Sequence, residues 1–427
     1  MNTHSLAPAT ALAASPWRRH WRRFAAVAGP GLVVMLADTD AGSVITAAQS
    51  GAQWGYRLLL LQLVLIPILF VVQELTVRLG IVSGMGHGEL IRRHFGRGWA
   101  WLSVGTLALA CGGALLSELS GLAGVGMMFG IPSWLSMPAI VGGLIAMVAT
   151  RSYLSVERIA LALGAFELVF LVVAWRAHPQ GGAMLSGSLS IPWHDTQYLY
   201  LAAANVGAVI MPWMVFYQQS SVVEKGLGLA DLRAARWDTA IGAVLTQAIM
   251  AAVLVAVAAA LGSGASSVAN SGAGRALDTV QQIAGAITPV LGQGTGRLLF
   301  AMGMSGAALV ATIVVALTAA RSLGEVLGVQ HRLDLAPREA PWFYGIFAAV
   351  LSAAGLVVAL DVNLVSLSVG VQVMNALLLP VVLGFLYLLA RRLPEPHRLS
   401  GCYAAAVAAT IVITAGFGVY AGITGIL

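Results

Sequence analysis

The chain has 427 residues, 59% of them hydrophobic and 9% charged, with a mean hydropathy of +0.87. That balance excludes a soluble globular domain and describes a polytopic membrane protein. The basic pI of 9.7 is a topology signal spread over many loops, so no nucleic-acid partner is expected.

A membrane helix needs about 20 apolar residues. Cutting the sequence at charges and Pro/Gly clusters predicts eleven spans, near 25–52, 56–80, 99–129, 135–150, 157–176, 197–222, 238–261, 295–320, 341–360, 364–390 and 401–425. With the N-terminus in the cytoplasm, 19 of the 23 Lys and Arg residues fall inside, among them Arg18, Arg19, Arg22, Arg23, Arg78, Arg92, Arg93 and Arg97. The positive-inside rule therefore predicts N-in, C-out. "PWRRHWRRF" (16–24) reads as a cytoplasmic interfacial anchor with Trp17 and Trp21 at headgroup level. No small-residue cleavage pattern follows a short apolar core, so no cleavable leader is expected. Cys111 and Cys402 are expected as free thiols, because two isolated cysteines make neither a disulfide framework nor a metal cluster.

The expected organisation is a basic segment (1–24), a first five-helix unit (25–176), a connecting loop (177–196), a second five-helix unit (197–390) and a final helix (391–427). Five is odd, so the two units would enter from opposite sides as an inverted 5+5 repeat. A Gly/Ser-rich loop at 262–296 carries a predicted short helix near 276–287.

The first helix of each unit is interrupted. "MLADTDAGSVIT" (35–46) sets Asp38 and Asp40 with Thr, Gly and Ser mid-span, residues that compete for the helical backbone. An Asp at a membrane centre costs about 2.5–3.5 kcal/mol, so the pair costs on the order of 5–7 kcal/mol before compensation. "GAVIMPW" (207–213) puts Pro212 inside an apolar span, removing a helical hydrogen bond. Matched breaks at mid-membrane point to a binding site there. Most Lys and Arg lie in loops or at helix ends, so the acids are expected to face an exogenous cation. In an unwound segment Asp38 and Asp40 could address one ion, whereas an intact helix would point them about 200° apart.

"GPGLVVMLADTDAGSVITAAQSGAQWGYRLLLLQ" (from Gly29), "VRLGIVSG" and "GAVIMPWMVFYQQSS" resemble the first, second and sixth helices of the natural resistance-associated macrophage protein (NRAMP) family, and "MFGIP" (128–132) resembles its "LFGIP" text after the third span. These are proton-coupled transporters of Mn²⁺, Fe²⁺ and related ions on a LeuT-type fold. The resemblance implies an all-α LeuT-type protein of about eleven transmembrane helices, broken in helices 1 and 6. The transported metal is its substrate, with no resident cofactor and no enzymatic activity, in a cytoplasmic membrane. Set on the family's Asp-Pro-Gly-Asn and Met-Pro-His-Asn motifs, Asp40 is the carboxylate ligand, Met211 the thioether ligand and Ala208 a carbonyl ligand, with Ala37 offering a second carbonyl and Gly42 keeping the break flexible. Protons are a second expected partner.

Three positions depart from the motifs. Ser43 places a hydroxyl where an amide is implied, Trp213 replaces the histidine, and Asp38 adds a carboxylate. A retained thioether favours Mn²⁺, Fe²⁺ or Co²⁺, while the added oxygens pull toward Mg²⁺. Transport of Mg²⁺, or of an organic cation or amino acid facing Trp213, are the alternatives. Glu118 lies near a third-helix acid that the family associates with proton passage, and with Trp213 it is the proton or gating candidate. Glu118 and Glu167 also read as interhelical hydrogen-bond partners, and Glu74 and Arg78 as a local ion pair. In the tenth helix the family's metal-facing glutamine, two residues before Pro380, is replaced by Leu378.

Overall fold

The computed structural model describes residues 27–149, 153–262, 276–329, 335–360 and 364–426. The basic segment with Trp17 and Trp21 lies outside these residues. The regular elements among the described residues are all helices, with no strands.

In chain order the helices are α1 (Pro30–Asp38), α2 (Ala41–Trp54), α3 (Leu59–Ser83), α4 (His87–Phe95), α5 (Arg97–Met128), α6 (Ser133–Val148), α7 (Tyr153–Gly164), α8 (Val169–Arg176) and α9 (Gly181–Leu189). They continue as α10 (Thr196–Val209), α11 (Pro212–Glu224), α12 (Leu232–Gly262), α13 (Val280–Leu291), α14 (Gln293–Leu327), α15 (Pro341–Ala359), α16 (Leu364–Ala390) and α17 (Gly401–Ile426). Among the described residues, nine segments are long and apolar enough to cross a bilayer, and the bent pair α1–α2 makes a tenth. The remaining expected span is α6, whose 16 residues reach about 24 Å, short of the roughly 30 Å core. The chain is a multi-pass membrane protein.

The connecting loop at 177–196 contains the exposed helix α9, and the helix expected near 276–287 is α13, displaced a few residues onward. The amphipathic helix α4 lies in what reads as a loop; it starts with Glu89 in its first turn and ends with Arg92, Arg93 and His94, the charge order that a helix dipole favours. The fifth span is divided by a 3₁₀ turn, Ala165–Leu168, that holds Glu167.

The segment Thr196–Glu224 is 94% buried against 28–72% for the other single spans, so α10 and α11 form the centre of the bundle. Helices α16 and α17 pack on α10, while α12 packs on α1, α2 and α3. Gly207 permits the α10–α16 contact: a Cβ there would strike the Gln372 carbonyl and lie 2.7 Å from the Ala376 nitrogen.

Both ends of the first span are held by other elements. The amides of Gly29 and Gly31 donate to Asp238 Oδ2 of α12 at 3.2 and 2.7 Å. Toward the end of α2, Gln49 Oε1 accepts from the Leu277 amide at 3.1 Å and its Nε2 donates to the Leu277 carbonyl. The ion pair expected between Glu74 and Arg78 is present at 2.6 Å, and Arg236 joins it at 2.7 Å. Cys111 is buried, Cys402 is exposed, and both are free.

Candidate metal site between the two helix breaks

The first break arises from capping. Helix α1 ends at Asp38, Thr39 leaves helical geometry, and the chain bends by 48° into α2. Asp40, in extended conformation, is the N-cap of α2, and its Oδ1 accepts the Ser43 amide at 2.6 Å, as short acidic side chains do at helix starts. The second break arises from proline. Ile210 and Met211 are non-helical (Met211 φ −90°, ψ 140°), and Pro212 opens α11 at its first position, where its missing N–H has no cost.

One hydrogen bond joins the breaks: Ser43 Oγ donates to the Ala208 carbonyl at 3.0 Å. Asp40, Ser43 and Ala208 are thus joined, and Met211 stands three residues beyond Ala208 at the second break; each of the four is 0–1% exposed. Trp213 Nε1 donates to Met211 Sδ at 3.2 Å. Glu118 of α5 lies beside Asp40 and its Oε2 accepts the Ala41 amide at 2.9 Å. Asp40 Oδ2 and Glu118 Oε1 are buried without a hydrogen-bond partner. Two buried carboxyls side by side require a shared proton or a cation, and Ser43, which Asp40 caps, reaches from here to the Ala208 carbonyl. No group of three or more His, Cys, Asp and Glu side chains suited to a metal occurs among the described residues; the donors gathered here are of mixed type.

Asp38 has a neighbour of its own. It ends α1 beside Thr246 of α12, whose hydroxyl lies 2.6 Å from that of Thr39, and Glu167 approaches Thr39 from the fifth span. The two aspartates thus have different polar neighbours, Thr246 for Asp38 and Ser43 for Asp40, while they and Glu167 lie within electrostatic reach of one another. Ala37 is buried in the last turn of α1, where helix carbonyls lose their intrahelical donors.

Gln372 and Ser117 complete the cluster. A Cβ on Gly42 would collide with the Gln372 amide nitrogen and come within 2.6 Å of Ser117 Oγ. Gly42 is helical, so close approach rather than flexibility requires glycine there. Gln372 Oε1 accepts from Asn375 Nδ2 at 2.9 Å, leaving the Gln372 amide nitrogen unpartnered. The tenth helix thus does place a glutamine against the first break, six residues before the half-buried Leu378. A polar pair in an otherwise apolar helix was the available signal. About 9 Å along α2 from Ser43, Gln49 and Gln53 line a cavity of about 350 Å³ with Gln197, Tyr200, Leu277 and Asp278.

Comparison with known proteins places this geometry in a family. The profile of the natural resistance-associated macrophage protein-like family matches residues 31–424. Two divalent metal cation transporters named MntH are similar. That of Bradyrhizobium diazoefficiens is 29% identical over 335 residues, covering 74% of this chain and 71% of its own. That of Xanthomonas campestris is 28% identical over 327 residues, covering 73% and 71%. A crystal structure of the Eremococcus coleocola manganese transporter superposes with a TM-score of 0.72 at 20% identity, covering 95% of this chain and 88% of that one. The nucleobase-cation-symport-1 family transporter Mhp1 follows with a TM-score of 0.57 at 14% identity, covering 93% and 90%, and the shared architecture is the LeuT-type fold. The chain belongs to the natural resistance-associated macrophage protein-like family.

Proposed function

We propose that the chain is a secondary-active importer of divalent transition-metal ions, Mn²⁺ or Fe²⁺, working by alternating access in a cytoplasmic membrane. It is a transporter and not an enzyme. The relatives named as divalent metal cation transporters support the substrate class. The observation that carries the reading is the Ser43–Ala208 hydrogen bond, which joins the break that holds the carboxylate to the break that holds the carbonyl and thioether. Asp40 supplies charge, the Ala208 carbonyl a neutral oxygen and Met211 a sulfur, a set that suits borderline ions. Ser43, Asp38 and the Ala37 carbonyl are additional oxygen donors as the breaks rearrange. Glu118, beside Asp40, is the carboxyl we assign to proton exchange, since Trp213 carries no titratable group. The charge distribution orients the N-terminus to the cytoplasm, and two inverted five-helix units, 25–176 and 197–390, would rock about the breaks.

The test is Mn²⁺ uptake into proteoliposomes under imposed pH gradients, with Mg²⁺ and Ca²⁺ as competitors. The expected result is saturable entry that Asp40→Ala abolishes and Mg²⁺ barely inhibits. Equal entry of Mg²⁺ would move the substrate to hard divalent ions. Absence of metal entry under every gradient would overturn the reading and turn screening to organic cations.

A further inference from the structure

Residues two apart do not face each other on a continuous helix. Met211 and Trp213 meet because Met211 is extended while Trp213 is already in the first turn of α11. The indole N–H donates to the thioether sulfur at 3.2 Å, and both residues are 0% exposed. An indole nitrogen only donates. The sulfur is the hydrogen-bond partner of this buried N–H, and buried donors are rarely left without one.

We propose that Trp213 is a specificity-determining residue: its N–H caps the Met211 thioether and competes with a soft metal ion for the sulfur. The inference rests on Met211 being a ligand, as proposed above. A thioether discriminates soft from hard ions because it gives Mg²⁺ or Ca²⁺ almost nothing. Capping it subtracts from that discrimination and leaves the oxygens of Asp40, Ser43 and Ala208 as they were. The site as built therefore favours harder ions than its donor types alone indicate.

The experiment measures uptake KM for Cd²⁺, a soft probe, and for Mn²⁺, with Ca²⁺ competition, in proteoliposomes of the full chain. Trp213→Phe keeps an aromatic ring and removes the N–H. It is expected to raise the preference for Cd²⁺ over Mn²⁺ by about threefold to tenfold, the range for losing one competing hydrogen bond. In a Met211→Ala background the same change should leave the preference where it was. Replacing Trp213 by 3-benzothienylalanine, which keeps the bicyclic shape without the N–H, gives the same readout should the smaller ring disturb folding. An unchanged preference, a fall, or an equal change without Met211 would each overturn the inference while wild-type uptake stood. Loss of all wild-type divalent uptake would instead overturn the ligand reading and this inference with it.

Discussion

At the first break the chain turns by 48° between α1 and α2, and the residue at the turn is a carboxylate that caps the helix it begins. At the sixth, Thr196–Glu224 runs on as one span, and the interruption is Ile210 and Met211 ahead of a proline. One break is made by a polar side chain and carries charge; the other is made by a missing N–H and carries neutral donors. On the proposed reading, the first holds the cation and the second chooses among cations, so that either could be altered without dismantling the other.

The largest expected effect removes the charge and keeps the cap. Asn is as good an N-cap as Asp, so Asp40→Asn should fold with a near-normal melting temperature. Uptake of Mn²⁺ should fall by more than about 100-fold, since unpairing a buried charge costs about 3–5 kcal/mol. A variant that transports normally would show that the charge at the first break is not what holds the ion.

Next come the two glycines that line the breaks. Gly207→Ala meets backbone, the Gln372 carbonyl and the Ala376 nitrogen, whereas Gly42→Ala meets mainly side-chain atoms of Gln372 and Ser117 that can move. Overpacking costs about 1–3 kcal/mol, with Gly207→Ala expected at the upper end. Thermal melts in detergent should rank Gly207→Ala below Gly42→Ala. The reverse order would mean that the first break is the stiffer one.

The third prediction concerns how α11 is anchored. His87 is buried, its Nδ1 lies 2.8 Å from Gln219 Oε1, and its ring packs edge-on to Phe216 at 4.7 Å. Desolvation outweighs the Gln219 hydrogen bond and pushes its pKa from 6.5 down to about 4. The unfolded chain therefore binds more protons than the folded one between those values, so stability rises with pH across that window. The contribution is complete above about pH 6.5 and is lost as pH falls toward 4. The melting temperature should drop over that interval in the wild type and drop less in His87→Gln, which cannot titrate. Equal slopes would exclude His87 as the cause.

The smallest effect is Ser43→Ala. It removes the hydroxyl that spans to the Ala208 carbonyl and should cost about 1 kcal/mol, read as a shift of about one degree in the melt. A neutral change would show that the two breaks are held together by packing alone.

Much of this was legible in the sequence. Apolar runs gave the spans, and Asp-Thr-Asp in one helix with Met-Pro in another marked both breaks, because membrane segments tolerate such residues only where something satisfies them. What could not be read was direction. Asp38 and Asp40 are two residues apart, and only the end of α1 at Asp38 sends one toward Thr246 and the other toward Glu118. Gln372 joins the first break because Gly42 and Gly207 admit its helix at close range, a long-range contact that no local pattern encodes. Helix α4 escaped because its nine residues average as polar, and a search for apolar runs passes over it.

The tethers at the two ends of the first span have a mechanical meaning. Asp238 grips the start of α1 through two amides, and Gln49 grips Leu277 from α2 through two more hydrogen bonds. Between them lies a joint at Thr39 and Asp40 where no helical hydrogen bond runs straight through. A rod so cut and so fastened behaves as two levers on separate latches. If the span moves as proposed, each half has its own short set of polar tethers to release, in addition to its packing against α12.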